Sequence, residues 1–298
     1  MSANDELYRS LVDELTANLV LLADKPEETG DSTLRALWFT AAGNPKSAQA
    51  AAAVSLPSLD AHGVTALRSL VARRVAGEPL SHLTERQQFM GLEMLAGREA
   101  LVPRKETELL ARAAIDFTNA AAANGTPMVL DLCTGSGNVA VSIAYHAPAA
   151  KVFASDLSET AIELARRNAA HLGLGERIDF RASDLLAAFE RPEFTERFDV
   201  ITCNPPYISS GKVGQMPKEI SAHEPRLAFD GGALGISILM RLIQDAPRFL
   251  RKGGWLVFEV GLGQGPPLVK RLQAGKNYEQ VETKLDHAGQ IRVVAARR

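Results

Sequence analysis

The chain has 298 residues, 46% hydrophobic and 23% charged, with a formal net charge of -2. That length accommodates two domains, the composition is that of a soluble globular protein and not of a disordered one, and the near-neutral charge argues against a chain held on nucleic-acid phosphates by electrostatics alone. The two cysteines, Cys133 and Cys203, build neither a disulfide framework nor a zinc site, and no run of about 18 apolar residues is present to span a bilayer. With no apolar core of signal length in Met1 to Arg9, a cytoplasmic protein without a structural metal is the expectation.

In chain order, Leu7, Leu11, Leu15, Leu19 and Leu22 recur at helical spacing, and Leu67, Leu70, Val71 and Val75 do so again. Residues 1–78 therefore read as a small helical domain, with connections at Lys25 to Asp31 and Gly43 to Lys46 and a role in packing or in recognising a partner. Gly77-Glu78-Pro79 breaks the pattern, and Arg86 to Leu95, with Gly91 suited to a turn, reads as a β-hairpin within a linker over 79–104. From 105 to 298 strands and helices alternate: Met128 to Leu132, Val139 to His146, Lys151 to Ser155, Thr160 to Leu172, Arg177 to Arg181, Val200 to Cys203, Trp255 to Val260 and Gln290 to Ala296. Such alternation predicts an α/β domain, a parallel sheet covered by helices on both faces.

In an open parallel sheet ligands lie beyond the carboxyl ends of the strands. The first strand is followed by Asp131 and the turn Thr134-Gly135-Ser136-Gly137, whose glycines allow close backbone approach. Twenty-five residues on comes Asp156-Leu157, where a carboxylate can accept ribose hydroxyls, and after the third strand Asp184-Leu185, an acid beside an apolar wall for an adenine. The turn lacks the third glycine of a dinucleotide site. Three acids at successive strand ends point to a nucleoside, although each alone also suits a helix cap or turn.

The fourth strand ends in Asn204-Pro205-Pro206-Tyr207. An Asn side-chain oxygen and the Pro205 carbonyl can each accept one hydrogen of a planar –NH2 group while Tyr207 covers its face, so the guest is an amide or amino nitrogen. Together with the nucleoside site this reads as a methyltransferase that uses S-adenosyl-L-methionine. A carboxamide nitrogen is a poor nucleophile, so alignment with the sulfonium methyl must do much of the catalytic work.

Beyond the clamp and the cofactor turn, the chain carries Gly77-Glu78-Pro79, Leu101-Val102-Pro103-Arg104-Lys105-Glu106-Thr107-Glu108, His223-Glu224-Pro225-Arg226-Leu227-Ala228-Phe229-Asp230-Gly231-Gly232, Phe258-Glu259-Val260-Gly261 with Gln264-Gly265, and Ala288-Gly289-Gln290-Ile291-Arg292-Val293-Val294. With these it resembles the glutamine side-chain amide methyltransferases of peptide chain release factors (HemK/PrmC type), whose sister group acts on a ribosomal protein. The resemblance implies a Rossmann-like class I S-adenosylmethionine-dependent methyltransferase domain over 105–298, a helical N-terminal substrate-recognition domain and a linking β-hairpin. It places the substrate glutamine on Asn204 and Pro205, with Pro206 and Tyr207 completing the motif, and the nucleoside on Asp156 and Asp184. Arg104, Glu106 and Thr107 fall near the methionine end of the cofactor.

The implied acceptor is the Gly-Gly-Gln loop of a class I release factor, the implied product S-adenosyl-L-homocysteine, and the implied partner a protein and not a membrane or a nucleic acid. Lys105 stands where the family usually repeats proline, Cys133 where a glycine is common, and Leu234 where an acid commonly follows Asp230-Gly231-Gly232. A ribosomal protein glutamine, a small amide or amine, a nucleic-acid amino group, and a cofactor-binding module without turnover remain the alternatives at this point.

Overall fold

The computed structural model describes residues 3–20, 22 and 24–298, and the chain forms two compact units. The N-terminal unit contains helices α1 (Ala3–Asn18), α2 (Gly30–Ala41), α3 (Ala48–Ala52), α4 (Ala61–Val75) and α5 (Leu80–Thr84) and the hairpin β1 (Arg86–Phe89) and β2 (Leu92–Leu95). Leu11, Leu15, Leu34, Leu37, Trp38, Leu67 and Val71 are buried in its core, as the helical spacing of leucines requires. Side chains set the helix starts: Thr29 accepts from Ser32 N in a capping box, Ser47 from Ala50 N and Asp60 from Gly63 N. Met90 and Gly91 both have positive φ, 51° and 79°, the pair of left-handed residues that a two-residue hairpin turn requires.

The unit is larger than residues 1–78. Its hairpin belongs with the helices, held in part by Ser47 N–H donating to Glu93 at 3.2 Å, and it also takes in Val102–Lys105 and Met216–Glu224. The last segment, with the short helix Lys218–Ser221, is fixed by charge: Glu219 meets Lys25 at 2.7 Å and Arg74 at 2.9 Å, and Arg74 reaches Glu28 at 3.0 Å. Such pairing between residues up to 194 positions apart has no local signature in a sequence. The expected start of the helical domain at residue 1 lies outside the described residues.

The C-terminal unit begins with α6 (Glu108–Ala121) and continues as β3 (Met128–Leu132), α7 (Asn138–His146), β4 (Lys151–Asp156), α8 (Glu159–His171), β5 (Ile178–Ala182) and β6 (Phe198–Cys203). The Lys218–Ser221 helix is α9 in chain order; then come α10 (Ser237–Asp245), β7 (Leu250–Glu259), α11 (Gly265–Ala274), β8 (Gln280–Leu285) and β9 (Ile291–Arg297). The seven strands form one sheet in the order β5-β4-β3-β6-β7-β9-β8. β5 to β7 run parallel, but β9 is antiparallel to β7 and β8 to β9. The sheet is therefore mixed and not purely parallel. β8 escapes a reading by hydrophobic runs because, as an edge strand, it is mostly half-exposed and its residues Gln-Val-Glu-Thr-Lys-Leu are largely polar.

The central strands are apolar throughout, with every residue of β6 buried, as expected of strands covered on both faces. Phe153, Phe189, Phe194 and Phe198 meet mostly edge to face within the core. The order runs outward from β3 through β4 to β5, then returns to β6 on the other side of β3. That reversal between β3 and β6 is where an open α/β sheet forms its ligand crevice.

Candidate active site

At the reversal point the register pairs Asp131 with Thr202 and Leu132 with Cys203. Asp131 is buried, and its two oxygens accept from Thr202 and Thr134, each at 2.6 Å. Burial pushes its carboxyl up to about 6, against the two hydroxyls, which hold it down. Through these two bonds Asp131 ties the glycine turn to β6. Within that turn Gly137 has φ 81°, and a Cβ there would stand 2.9 Å from the Ala165 Cβ, so only glycine lets α7 start this close to α8. Cys133, with φ 54°, occupies the same left-handed region, where a glycine would be free of the steric cost that a side chain carries.

Asp156 lies at the end of the neighbouring strand. One oxygen accepts from Gly135 N and the other from Ser158 N, both at 2.9 Å, and burial raises its carboxyl despite these donors. Leu157 beside it is 58% exposed, an apolar side chain presented outward next to a fixed carboxylate. Asp184 pairs with Arg241 at 2.9 Å across half-exposed side chains, and Leu185 is buried with φ 49°. Ser136 Oγ is buried without a hydrogen-bond partner. An unsatisfied hydroxyl in a glycine turn, an anchored carboxylate and an outward leucine fit a nucleoside with a polar tail.

Across the reversal point, the fourth strand delivers the clamp. Asn204 Nδ2 donates to Thr107 Oγ1 at 3.1 Å, which commits the nitrogen and leaves the carboxamide oxygen as the acceptor. Tyr207 OH donates to Glu259 Oε1 at 3.1 Å and accepts from Arg292 at 3.4 Å. Burial, then the Glu259 charge, push its phenol well above the ordinary tyrosine range, so it stays neutral. Its carbonyl accepts from Gln264 Nε2 at 3.0 Å, while Gln264 Oε1 accepts from Gly261 N at 2.9 Å. The stretch after the clamp pairs with Phe229 to Gly232, through Ile208 N to Phe229 O at 3.0 Å and Gly231 N to Ile208 O at 2.8 Å. A Cβ on Gly231 would overlap the Pro206 carbonyl, and one on Gly235 the Tyr207 carbonyl.

The structure thus gathers Asp131, Thr134, Gly135, Ser136, Gly137, Asp156, Leu157, Asp184, Leu185, Glu106, Thr107 and Asn204 to Tyr207 within one unit. Glu106 pairs with Arg292 at 2.8 Å and Thr107 holds Asn204, so both brace the clamp. Arg104 belongs to the other unit, where its guanidinium meets Glu224 and Asp24. Reading by strand ends missed Glu259, Gln264 and Arg292 as site residues. For Glu259 and Arg292 the signal was a charge inside an apolar strand, Trp-Leu-Val-Phe-Glu-Val and Ile-Arg-Val-Val, which a buried strand tolerates only with a partner; Gln264, a neutral residue just ahead of α11, carried no such signal.

Among the described residues no group of three or more His, Cys, Asp or Glu is placed to hold a metal ion, and no helix is long and apolar enough to cross a membrane. Residues 111–285 match the family model described as "Methyltransferase small domain". A release factor glutamine methyltransferase of Gloeobacter violaceus is 37% identical over 238 residues, 80% of each chain. One of Bradyrhizobium diazoefficiens is 37% identical over 226 residues, 76% of this chain and 74% of its own. Among solved structures, the human Mettl16 catalytic domain in complex with an RNA hairpin superposes with a TM-score of 0.52 at 17% identity, over 82% of this chain and 84% of that one, a likeness of fold alone. With a methyltransferase domain across most of its C-terminal unit and these relatives spanning four fifths to three quarters of its length, the chain belongs to the release factor glutamine methyltransferase family.

Proposed function

We propose that the protein methylates the side-chain amide nitrogen of the glutamine in the Gly-Gly-Gln loop of class I peptide chain release factors, in the cytoplasm, with S-adenosyl-L-methionine as donor. The observation that carries this reading is the fixed carboxamide of Asn204. With Nδ2 given to Thr107, its oxygen accepts one hydrogen of the substrate amide, and the Pro205 carbonyl accepts the other. The two acceptors fix the substrate nitrogen and favour the positive charge that grows on it. Tyr207, neutral and braced by Glu259, packs on the planar amide and keeps water away.

Gly135, Ser136, Asp156, Leu157, Asp184 and Leu185 would hold the cofactor, which supplies an electrophilic methyl group and leaves as S-adenosyl-L-homocysteine. No base is required to start transfer, because the proton on the product nitrogen is strongly acidic and departs afterwards. The relatives named for release factors support the acceptor, and the net charge of -2 favours a protein over a nucleic acid. Mass spectrometry of a class I release factor incubated with the protein and the cofactor tests it. One added methyl on the Gly-Gly-Gln glutamine is the expected result; an unmodified peptide with cofactor binding intact would redirect the search to another acceptor.

A further inference from the structure

Two leucines near the clamp are presented to solvent on the tips of tight turns. Gly235 N donates to Gly232 O at 3.2 Å and Gln264 N to Gly261 O at 3.1 Å, closing β-turns over 232–235 and 261–264 with Leu234 and Leu262 at central positions. Each leucine is followed by a glycine in the left-handed region, Gly235 at φ 69° and Gly263 at φ 79°, a conformation that glycine adopts without steric cost. Leu234 is 74% exposed and Leu262 68%.

The Gln264 carboxamide joins both turns to the clamp. Its Oε1 accepts from Gly261 N at 2.9 Å, and its Nε2 donates to Gly235 O at 3.3 Å and to Tyr207 O at 3.0 Å. The packing around Tyr207 is close: a Cβ on Gly235 would overlap its carbonyl, and one on Gly261 would stand 2.9 Å from its ring. Each leucine is thus the chain neighbour of a glycine packed against Tyr207. One exposed leucine is ordinary on a protein surface. Two of them, held by one side chain that also holds the clamp, make an apolar rim of the kind that a partner covers.

We propose that Leu234 and Leu262 form an apolar lip that receives the acceptor loop, packing on its main chain next to the methylated glutamine. The inference rests on the glutamine-amide reading above and names what the enzyme grips around that glutamine. A protein glutamine enters the clamp with its flanking chain attached, and that chain must pass over the residues bordering Tyr207. The two glycines of a Gly-Gly-Gln loop bring no side chains, so their Cα methylenes and peptide planes reach the leucines directly. Because hydrogen bonds already fix both turns, binding has little left to order in the lip. The sequence departure at Leu234 places an apolar side chain on this rim where an acid would place a charge.

Steady-state kinetics of the full-length enzyme on an intact class I release factor test the lip. Leu234→Ser and Leu262→Ser should each raise KM for the release factor about threefold to tenfold, the scale of one leucine partly withdrawn from water. The double variant should raise it by more than either. A contact made equally before and during methyl transfer leaves kcat within about twofold of wild type, and cofactor affinity by calorimetry should be unchanged. Leu285→Ser, at a side chain 52% exposed on the edge strand β8, should leave KM as it is. To locate the contact, p-benzoylphenylalanine in place of Leu262 should crosslink on irradiation to the peptide that carries Gly-Gly-Gln. A double variant with wild-type KM, or a crosslink confined to another region of the release factor or to a second copy of this chain, would overturn the inference. Methylation by the wild type separates the two readings. A wild type that leaves the release factor unmodified refutes the acceptor and the lip with it, whereas methylation with equal KM values refutes the lip alone.

Discussion

Thr202 donates its hydroxyl to Asp131 at 2.6 Å, joining β6 to β3 at the point where the strand order reverses. Asp131 is fully buried and its carboxyl lies up at about 6 against an ordinary 3.8. Because the folded value is raised, the group contributes stability that is present below about pH 3.8 and is lost as pH rises through about 6. Thr202→Val removes a donor that favours the charged form. The variant should therefore lose about 1.5–3 kcal/mol at pH 8 and much less at pH 4, measured by denaturant melts at both values.

The backbone at Cys133 makes a different prediction. Its φ of 54° penalises any side chain, and a β-branched one most. Cys133→Gly should melt within about 1 kcal/mol of wild type, the strain relieved roughly matching the extra chain entropy of glycine, whereas Cys133→Val should cost about 1–2 kcal/mol or more. Thermal unfolding of the two variants side by side checks the order.

In the N-terminal unit, Arg74 is buried between Glu28 at 3.0 Å and Glu219 at 2.9 Å. Burial raises the Glu28 carboxyl, so that group depends on its cations. Arg74→Met strands two carboxylates together with one Lys25, and should destabilise this unit by about 3–5 kcal/mol. Protease sensitivity of the Met216–Glu224 segment should increase along with it, since Glu219 loses one of its two anchors. A variant as stable as wild type and equally resistant would show that the pairs contribute little.

Gly137→Ala combines a positive φ with a Cβ at 2.9 Å from Ala165. Relief requires α7 to shift away from α8, and the Thr134 to Gly137 turn moves with it. Cofactor affinity should fall by tenfold or more, about 1.4 kcal/mol on the scale relating affinity to free energy, while Gly125→Ala, with φ 129° but open space around it, should leave cofactor affinity unchanged. Calorimetric titration with S-adenosyl-L-methionine checks both.

Much of the C-terminal unit was legible because its strands are apolar runs closed by an acid or by the clamp. Met128 to Leu132 was placed to the residue, and β4, β5 and β6 to within two. The antiparallel pair β8 and β9 was half seen, since β9 is apolar and β8 is not. In the site, the residues that follow strands were visible, as each is a local departure from an apolar pattern. What holds them was not: Thr107 meets Asn204 across 97 positions, Glu259 meets Tyr207 across 52, and Arg292 across 85. Such pairs are made by strand order, which no local pattern carries. The same reason hid the membership of Met216–Glu224 in the N-terminal unit.

The central claim is that the Asn204 carboxamide oxygen holds the substrate nitrogen in line for transfer, and single-turnover kinetics of Asn204→Ala on a release factor test it most directly. The variant should lose at least about a hundredfold in the methyl-transfer step with cofactor affinity within about threefold of wild type, a change under about 1 kcal/mol. A variant that transfers the methyl at the wild-type rate, with the cofactor bound, would contradict it.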